Sequence, residues 1–276
     1  MTLEKISLAS GDGASADVYA YGAHVTSWRP VPDREERLFL SSTSVLSEGT
    51  AIRGGIPVIF PQFAAEGPLP RHGFARTTQW TVAPPREEPG GAAAARFTLA
   101  SSPETRRVWA ADFLATVDVE VVGAQLRVSL TVDNQGAEAF TFAAALHTYL
   151  RVEDIRQAEL VGLHGARYRV SSAPDELAFD DAESMRFAGE IDRVYVGAPT
   201  RLVLRDADRH LDIETTGFED VVVWNPGSAA ASLADMEAGG ETRMLCVEAA
   251  QVQQRITLDA GRRWTGSQTL TAHPAP

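Results

Sequence analysis

The chain has 276 residues, a formal net charge of −12, and 44% hydrophobic and 22% charged residues. These values are typical of a globular protein with a packed core, and the acidic balance argues against nucleic-acid binding, which requires a broad basic surface. Only one of the 25 basic residues is a lysine, Lys5, which effectively excludes Schiff-base chemistry because that chemistry needs a lysine in the active site.

Segments of alternating character recur along the chain. They are rich in Val, Thr and aromatic residues and are separated by Gly, Asn, Asp and Pro, a pattern typical of strands and turns. These segments are 15–30, 96–102, 115–122, 125–134, 140–152, 201–217, 221–226 and 243–252. Many short strands at regular spacing predict a β-sandwich or barrel. Because the pattern continues on both sides of every loop, we expect residues 1–276 to form one large antiparallel domain.

Three segments interrupt this pattern. Residues 84–97 are predicted to form a hairpin loop, and residues 104–113 one or two exposed helical turns. Residues 225–241 are predicted to form a longer, ordered loop.

Positive charge is concentrated between residues 51 and 80. Arg53, Arg71, His72 and Arg76 lie among glycines and prolines, with Glu66 as the single acid. Guanidinium groups match the geometry of phosphate or carboxylate oxygens, and Gly and Pro fix a loop that a ligand can approach closely. Each arginine taken alone is better explained as a solvated charge or as the partner of an acid. For the cluster, both an anion-binding role and this structural explanation stay open.

The segment FTFAAALHTYLRV carries the first candidate for acid–base chemistry. If it is a strand, Thr141, Ala143, Ala145, His147 and Tyr149 share one face. The small residues leave open volume on which a sugar-sized ligand can lie within reach of His147. A histidine in the core, satisfied by a backbone carbonyl, is the competing explanation.

The segment RMLCVEAAQV carries the second candidate. Met244, Cys246 and Glu248 share one face of an otherwise apolar strand. A buried carboxylate needs a partner or a function, so Glu248 is either paired with an arginine or a catalytic base. Cys246 has no activating base near it in the sequence and is interpreted as a small buried hydrophobic residue.

Other cofactor chemistry and other cell compartments lack support in the sequence. The six histidines have no spacing typical of metal ligands, and no glycine-rich nucleotide loop occurs.

No apolar run approaches the roughly 18 residues that span a membrane, and the first residues lack the pattern of a secretory signal. With a single cysteine and hence no disulfide framework, we expect a cytoplasmic protein, with a monomer as the default state.

Six motifs together resemble one family. In order they are IRGGIPVIFPQF, LPRHGFAR, LHTYLRV, DRVY, VVVWNP and MLCVEAAQV. They resemble the hexose-6-phosphate mutarotases, or glucose-6-phosphate 1-epimerases, of the aldose 1-epimerase superfamily, over about residues 17–268. The resemblance implies a large all-β sandwich of the galactose mutarotase type that uses neither a metal nor an organic cofactor.

The resemblance also implies roles for individual residues. His147 is expected to be the general acid and Glu248 the general base, while His72 and Asp192 contact the sugar. The arginines at 53, 71 and 76 are expected to recognise the phosphate, and Gln62 to line the pocket. The expected partner is therefore a small sugar phosphate.

The sequence departs from the family pattern at three places. Ala64 stands where a glycine commonly follows FPQF, VEAAQV replaces a more usual VEPGNV, and the loop SAAASLADMEAGGE is less basic than expected. These departures concern the substrate preference more than the reaction. Two alternatives stay open: an aldose 1-epimerase that acts on unphosphorylated sugars, and a carbohydrate-binding protein without catalytic activity.

Overall fold

The computed structural model describes residues 3–31, 33–88, 90–170, 173–207 and 209–273. Strands are the main element. They are β1 (Lys5–Ala9), β2 (Ser15–Tyr19), β3 (His24–Arg29), β4 (Val58–Ile59), β5 (Thr81–Val82), β6 (Arg86–Glu88), β7 (Ala92–Ala100), β8 (Phe113–Val122), β9 (Gln125–Asn134), β10 (Phe140–Leu146), β11 (Tyr149–Arg151), β12 (Glu159–Val161), β13 (Arg167–Val170), β14 (Ala173–Phe179), β15 (Ser184–Arg186), β16 (Ile191–Val196), β17 (Arg201–Asp206), β18 (Arg209–Thr216), β19 (Asp220–Asn225), β20 (Met244–Leu258) and β21 (Arg263–His273).

Helical structure is short. One α-helix, α1 (Pro103–Val108), begins after Ser102, whose hydroxyl accepts from the backbone N–H groups of Glu104 and Thr105. Turns of 3₁₀-helix occupy Ala75–Thr77, Gly227–Ser232 and Gly240–Arg243. In the described part of the chain, no helix is long and apolar enough to cross a membrane.

The strands form three antiparallel sheets. A small sheet has the order β1-β2-β3. An eight-stranded sheet has the order β14-β13-β16-β19-β20-β10-β4, with β11 also paired to β20. A ten-stranded sheet has the order β15-β12-β17-β18-β21-β9-β8-β7-β5, with β6 paired to β7. The predicted all-β fold is confirmed.

Alternation of side chains builds the main core. Every second residue of β8 is buried, and its buried residues pack in one cluster with Phe142, Ala144 and Leu146 of β10 and with Leu245, Val247 and Ala249 of β20. The opposite faces of β10 and β20 carry Ala143, Ala145 and Ala250, which belong to a second, smaller cluster. The faces predicted from alternation in β10 and β20 are therefore confirmed, and the second face is available for a site.

The three interrupting segments have different outcomes. Residues 103–108 are helical, as predicted for part of 104–113, and 225–241 is an ordered loop with 3₁₀ turns. The prediction of a loop over 84–97 was wrong in part, because Arg86–Glu88 and Ala92–Ala100 pair as strands of the hairpin. Successive small alanines there gave no alternation in the sequence, yet Ala92–Ala95 are buried.

Candidate active site

Strand pairing in the eight-stranded sheet gathers the polar residues of the site. Residues directly opposite each other on neighbouring antiparallel strands share a face. Asp192 of β16 is opposite Trp224 of β19, which is opposite Cys246 of β20, which in turn is opposite Tyr149 of β11. Val222 is likewise opposite Glu248. The second face of this sheet thus presents side chains from four strands at one place.

His147 lies beside this row, in the two-residue break between β10 and β11. Its Nδ1 lies 3.1 Å from Oε1 of Glu248, and both residues are buried. The imidazole ring stacks on the Tyr149 ring, with centroids 4.8 Å apart and an interplanar angle of 11°. The edge of the His147 ring faces Trp224 at 6.0 Å. The predicted acid–base pair is therefore adjacent and held by aromatic packing.

The surroundings favour the uncharged forms of both residues. Burial, followed by repulsion from His72, Arg76 and Arg53, lowers the pKa of His147 well below its usual value. Burial and the nearby Asp192 carboxylate raise the pKa of Glu248 well above its usual range. Both shifts favour the same arrangement, a neutral imidazole next to a protonated carboxyl group.

Three arginines form the rim of the site, but they do not have the same partners. The guanidinium of Arg53 donates to the Tyr149 hydroxyl (3.0 Å) and to Oδ1 of Asp235 (3.1 Å). Arg76 donates to the Arg71 carbonyl at 3.2 Å. Among the residues that the structure describes, neither Arg71 nor Arg76 forms a salt bridge with a carboxylate. The positive charge available to a ligand is therefore that of Arg71 and Arg76.

His72 adds a hydrogen-bond donor to the rim. Its Nδ1 accepts the backbone N–H of Ala64 at 3.2 Å, which leaves Nε2 to carry the proton. Burial and then the charges of Arg76, Arg71 and Arg53 lower the pKa of His72 to about 3. The ring is therefore a neutral donor at physiological pH, 5.6 Å from the His147 ring.

Glycines allow the two arginine loops to lie against the sheets. Gly55 has φ +65°, and a Cβ there would lie 2.1 Å from the Val25 carbonyl oxygen. Gly73 has φ +70°, and its Cβ would lie 2.2 Å from the Phe60 carbonyl oxygen. A side chain at either position would force the loop away from the sheet.

Gln62 is placed differently from the other predicted residues. Its amide group donates to the carbonyls of Ala64 and Leu69 and accepts from the Leu69 N–H. The side chain is thus fully used in closing the loop that carries Arg71 and His72. It does not line the cavity.

The remaining predicted residues line one cavity of about 290 Å³, close to the lower end of the range for small-molecule sites, roughly 300–1,000 Å³. Its lining comprises Arg53, Phe63, Ala64, Arg71, His72, Arg76, His147, Asp192, Val222, Trp224, Leu233 and Glu248. A volume of this size with polar groups on two sides suits a single sugar ring.

A comparison with known protein families adds to this geometry. The family model described as aldose 1-epimerase matches residues 4–271. The chain belongs to the aldose 1-epimerase family. As a member, it is an isomerase that acts on sugars, and the cavity lies where the six motifs of the sequence meet.

Relatives of this aldose 1-epimerase family member lie in bacteria and plants. A Cenchrus ciliaris protein, by name a proposed glucose-6-phosphate 1-epimerase, is 34% identical over 99% of this chain and 86% of its own length. An Escherichia coli protein of the same name is 36% identical, over 86% of this chain and 80% of its own length. The crystal structure of a proposed mutarotase from Salmonella typhimurium matches this chain with a TM-score of 0.89 and 30% sequence identity. The match covers 99% of this chain and 91% of the Salmonella typhimurium chain.

Some residues of the family site were not singled out as site residues from the sequence. Phe63 and Leu233 line the cavity, and Asp235 holds Arg53. Phe63 and Leu233 resemble ordinary apolar residues in the sequence, and Asp235 lies 182 residues from its arginine. Only the fold brings these residues to the site.

Proposed function

We propose that the protein interconverts the α and β anomers of a hexose 6-phosphate, with glucose 6-phosphate as the first substrate to test. The names of the relatives suggest this substrate. The observation that carries the proposal is the pairing, in one cavity, of a buried His147–Glu248 pair with two arginines, Arg71 and Arg76, that have no carboxylate partner among the described residues.

In the proposed reaction, a base removes the proton of the C1 hydroxyl while an acid protonates the ring oxygen and the C1–O5 bond breaks. The open-chain aldehyde rotates about C1–C2 and recloses on its other face, and the two groups exchange roles. Both oxygens are bonded to C1, so the acid and the base must lie side by side. The distance of 3.1 Å between His147 and Glu248 meets this requirement.

The expected assignment of His147 as acid and Glu248 as base requires the proton to start on the imidazole. Both pKa shifts oppose a protonated imidazole next to a carboxylate, so this assignment requires the bound substrate to favour a proton on His147. A dianionic phosphate near Arg76 and Arg53 opposes the positive charges that lower the pKa of His147. Substrate binding therefore favours a protonated imidazole.

Three further assignments belong to the proposal. His72 and Asp192, which both line the cavity, hold sugar hydroxyls, and Arg71 and Arg76 bind the phosphate. The chain acts as one domain, since its main hydrophobic cluster includes residues from Ile6 to Ala272. A monomeric, cytoplasmic protein stays a prediction.

The reaction is tested by NMR magnetisation transfer between the anomers of glucose 6-phosphate, glucose and galactose. We expect acceleration for the phosphosugar and little for the free sugars. His147→Ala and Glu248→Gln are each expected to lower the rate by roughly 10²–10⁴-fold. Acceleration confined to the free sugars would favour the unphosphorylated-sugar alternative, and binding without acceleration would favour the binding protein.

The phosphate assignment has its own test. Arg76→Gln is expected to raise KM for glucose 6-phosphate by roughly 10–100-fold, the value of a charge-assisted hydrogen bond. Arg107→Gln, which removes an arginine of an exposed pair on α1, serves as the control. An equal KM in the two variants would show that the phosphate is bound elsewhere.

A further inference from the structure

A cluster of three metal-ligating side chains includes two residues that line the cavity, His147 and Glu248. One donor atom each of His147, Cys246 and Glu248 lies within 4.8 Å of the other two, and all three residues are buried. His147 is distant in the sequence from Cys246 and Glu248, which lie two residues apart on β20. The pairing of β11 with β20 places Cys246 opposite Tyr149, two residues after His147. For this reason no ligand spacing was visible in the sequence.

Two of these residues also have unsatisfied polar atoms. Nδ1 of His147 lies 3.1 Å from Oε1 of Glu248, but the contact lacks the angles of a hydrogen bond. In the described part of the chain, this Nδ1 and Oε2 of Glu248 are therefore buried without a hydrogen-bond partner. Burying such atoms without a partner is costly. The proposed mutarotation uses His147 and Glu248 but gives no role to the thiol of Cys246.

We propose that His147, Cys246 and Glu248 form an inhibitory binding site for Zn²⁺. Imidazole, thiolate and carboxylate are the three ligand types that Zn²⁺ takes in proteins, and three protein ligands with one open position are typical of accessible zinc sites. The thiolate favours a thiophilic cation over Mg²⁺ or Ca²⁺. This site is distinct from any metal requirement of the reaction, because the bound cation blocks the acid–base pair.

The dimensions agree with this assignment. Donor atoms around a tetrahedral Zn²⁺ are roughly 3.5 Å apart, as follows from bonds of about 2.0–2.3 Å. A separation of 4.8 Å would therefore need a contraction of about 1.3 Å, whereas the 3.1 Å between Nδ1 of His147 and Oε1 of Glu248 is already close to this spacing. His147 and Glu248 line the cavity, so the cation has an entry path from solvent.

Binding is tested with Co²⁺ as a spectroscopic substitute for Zn²⁺ on the tag-free protein. We expect one Co²⁺ per chain, a thiolate-to-cobalt charge-transfer band, and loss of this band on adding Zn²⁺. Cys246→Ala and Cys246→Ser are both expected to lose the band and to weaken zinc affinity by roughly tenfold or more. His273→Ala, which removes an exposed histidine 3.1 Å from Asp212, is the control for surface binding.

Inhibition is the second readout, and it rests on the proposed function. Zn²⁺ is expected to slow anomer exchange of glucose 6-phosphate in wild type, in competition with the sugar, and a chelator should restore the rate. Each Cys246 variant is compared with its own metal-free rate and should need roughly tenfold more Zn²⁺ for the same inhibition.

The two readouts separate the two proposals. A wild-type protein without the charge-transfer band, or a band that survives in both Cys246 variants, would overturn the zinc site. Loss of binding in His273→Ala alone would also overturn it. A protein that shows the band but no mutarotation would retain the zinc site and contradict the proposed function.

Discussion

At the scale of single residues, the site depends on ionisable groups whose uncharged forms the fold favours. Glu248 lies in the middle of β20 with hydrogen-bonded strands on both sides. Its carboxylate is desolvated, and the nearest acid in the cavity, Asp192, adds repulsion. Ionisation of this buried carboxyl group therefore lowers the free energy of unfolding of the protein.

Glu248→Gln is expected to stabilise the fold at alkaline pH. The pKa of Glu248 is raised in the folded state, so its contribution to stability is full at acid pH and is lost as the pH rises through that value. The variant does not titrate. Relative to wild type, we expect the free energy of unfolding of Glu248→Gln to be higher by about 1–3 kcal/mol at about pH 8, and this difference to shrink towards about pH 5.

Urea unfolding at both pH values measures this gain, with Glu120→Gln as the matched control. Glu120 is also a strand carboxylate, in β8, but its side chain lies on the outer face of the sheet. A pH-independent difference for Glu248→Gln would contradict the assignment of a raised pKa.

At the scale of elements, the loop 226–243 closes one side of the cavity and sets the charge of the rim. It contacts the segment 41–44 through Glu237, whose carboxylate accepts the Ser42 N–H at 2.7 Å. Through Asp235 it also neutralises Arg53. The loop therefore reduces the attraction of the rim for an anion.

Asp235→Asn is expected to lower KM for glucose 6-phosphate by about threefold to tenfold. The substitution removes a negative charge next to the phosphate, while Tyr149 still holds Arg53. Initial rates of anomer exchange over a range of substrate give the value. Glu241→Gln, in the same loop and without a salt bridge among the described residues, controls for net charge. A raised KM would show instead that Asp235 positions Arg53.

The elements themselves were predictable where side chains alternate. The strands around His147 and Glu248 have clear apolar and small-residue faces, and the structure confirms the faces predicted from the sequence. The break after Leu146 and the register shift between Phe142 and Ala144 were not visible. Such irregularities depend on pairing with a partner strand, which local pattern does not specify.

At the scale of the whole molecule, three buried histidines make stability depend on pH. The pKa of His24 is lowered to about 4, chiefly by burial, and those of His72 and His147 are lowered as well. As the pH falls below about 6.5, the unfolded chain binds protons that the folded protein does not. Stability is therefore lost as the pH falls from about 6.5, down to about pH 4 for His24 and about pH 3 for His72.

We expect urea unfolding to show a loss of up to about 1.4 kcal/mol per pH unit for each of these histidines. His24→Gln is expected to reduce the loss between about pH 7.5 and about pH 5 by about 2 kcal/mol. His164→Gln, at an exposed position, is the control. Equal acid sensitivity in both variants would contradict the assignment for His24.

The complete site was predictable only through the family resemblance. Residue patterns alone suggested an anion site and two acid–base candidates, and left structural explanations open. They could not bring Arg53, His147, Asp192 and Glu248 together, because these residues meet through pairings between strands far apart in the sequence. The roles of the site residues stay predictions until the variants are measured.

The position of β20 has a consequence for motion. The backbone of Val222 to Trp224 pairs with one edge of this strand around Glu248, and that of β11 with its other edge. We expect the amide protons of β20 around Glu248 to exchange with deuterium only through large openings of the sheet. Those of the exposed loop around Arg71 are expected to exchange through local fluctuations. We therefore expect the rotation about the C1–C2 bond of the sugar to take place over a rigid sheet, without a movement of the strands that carry Glu248.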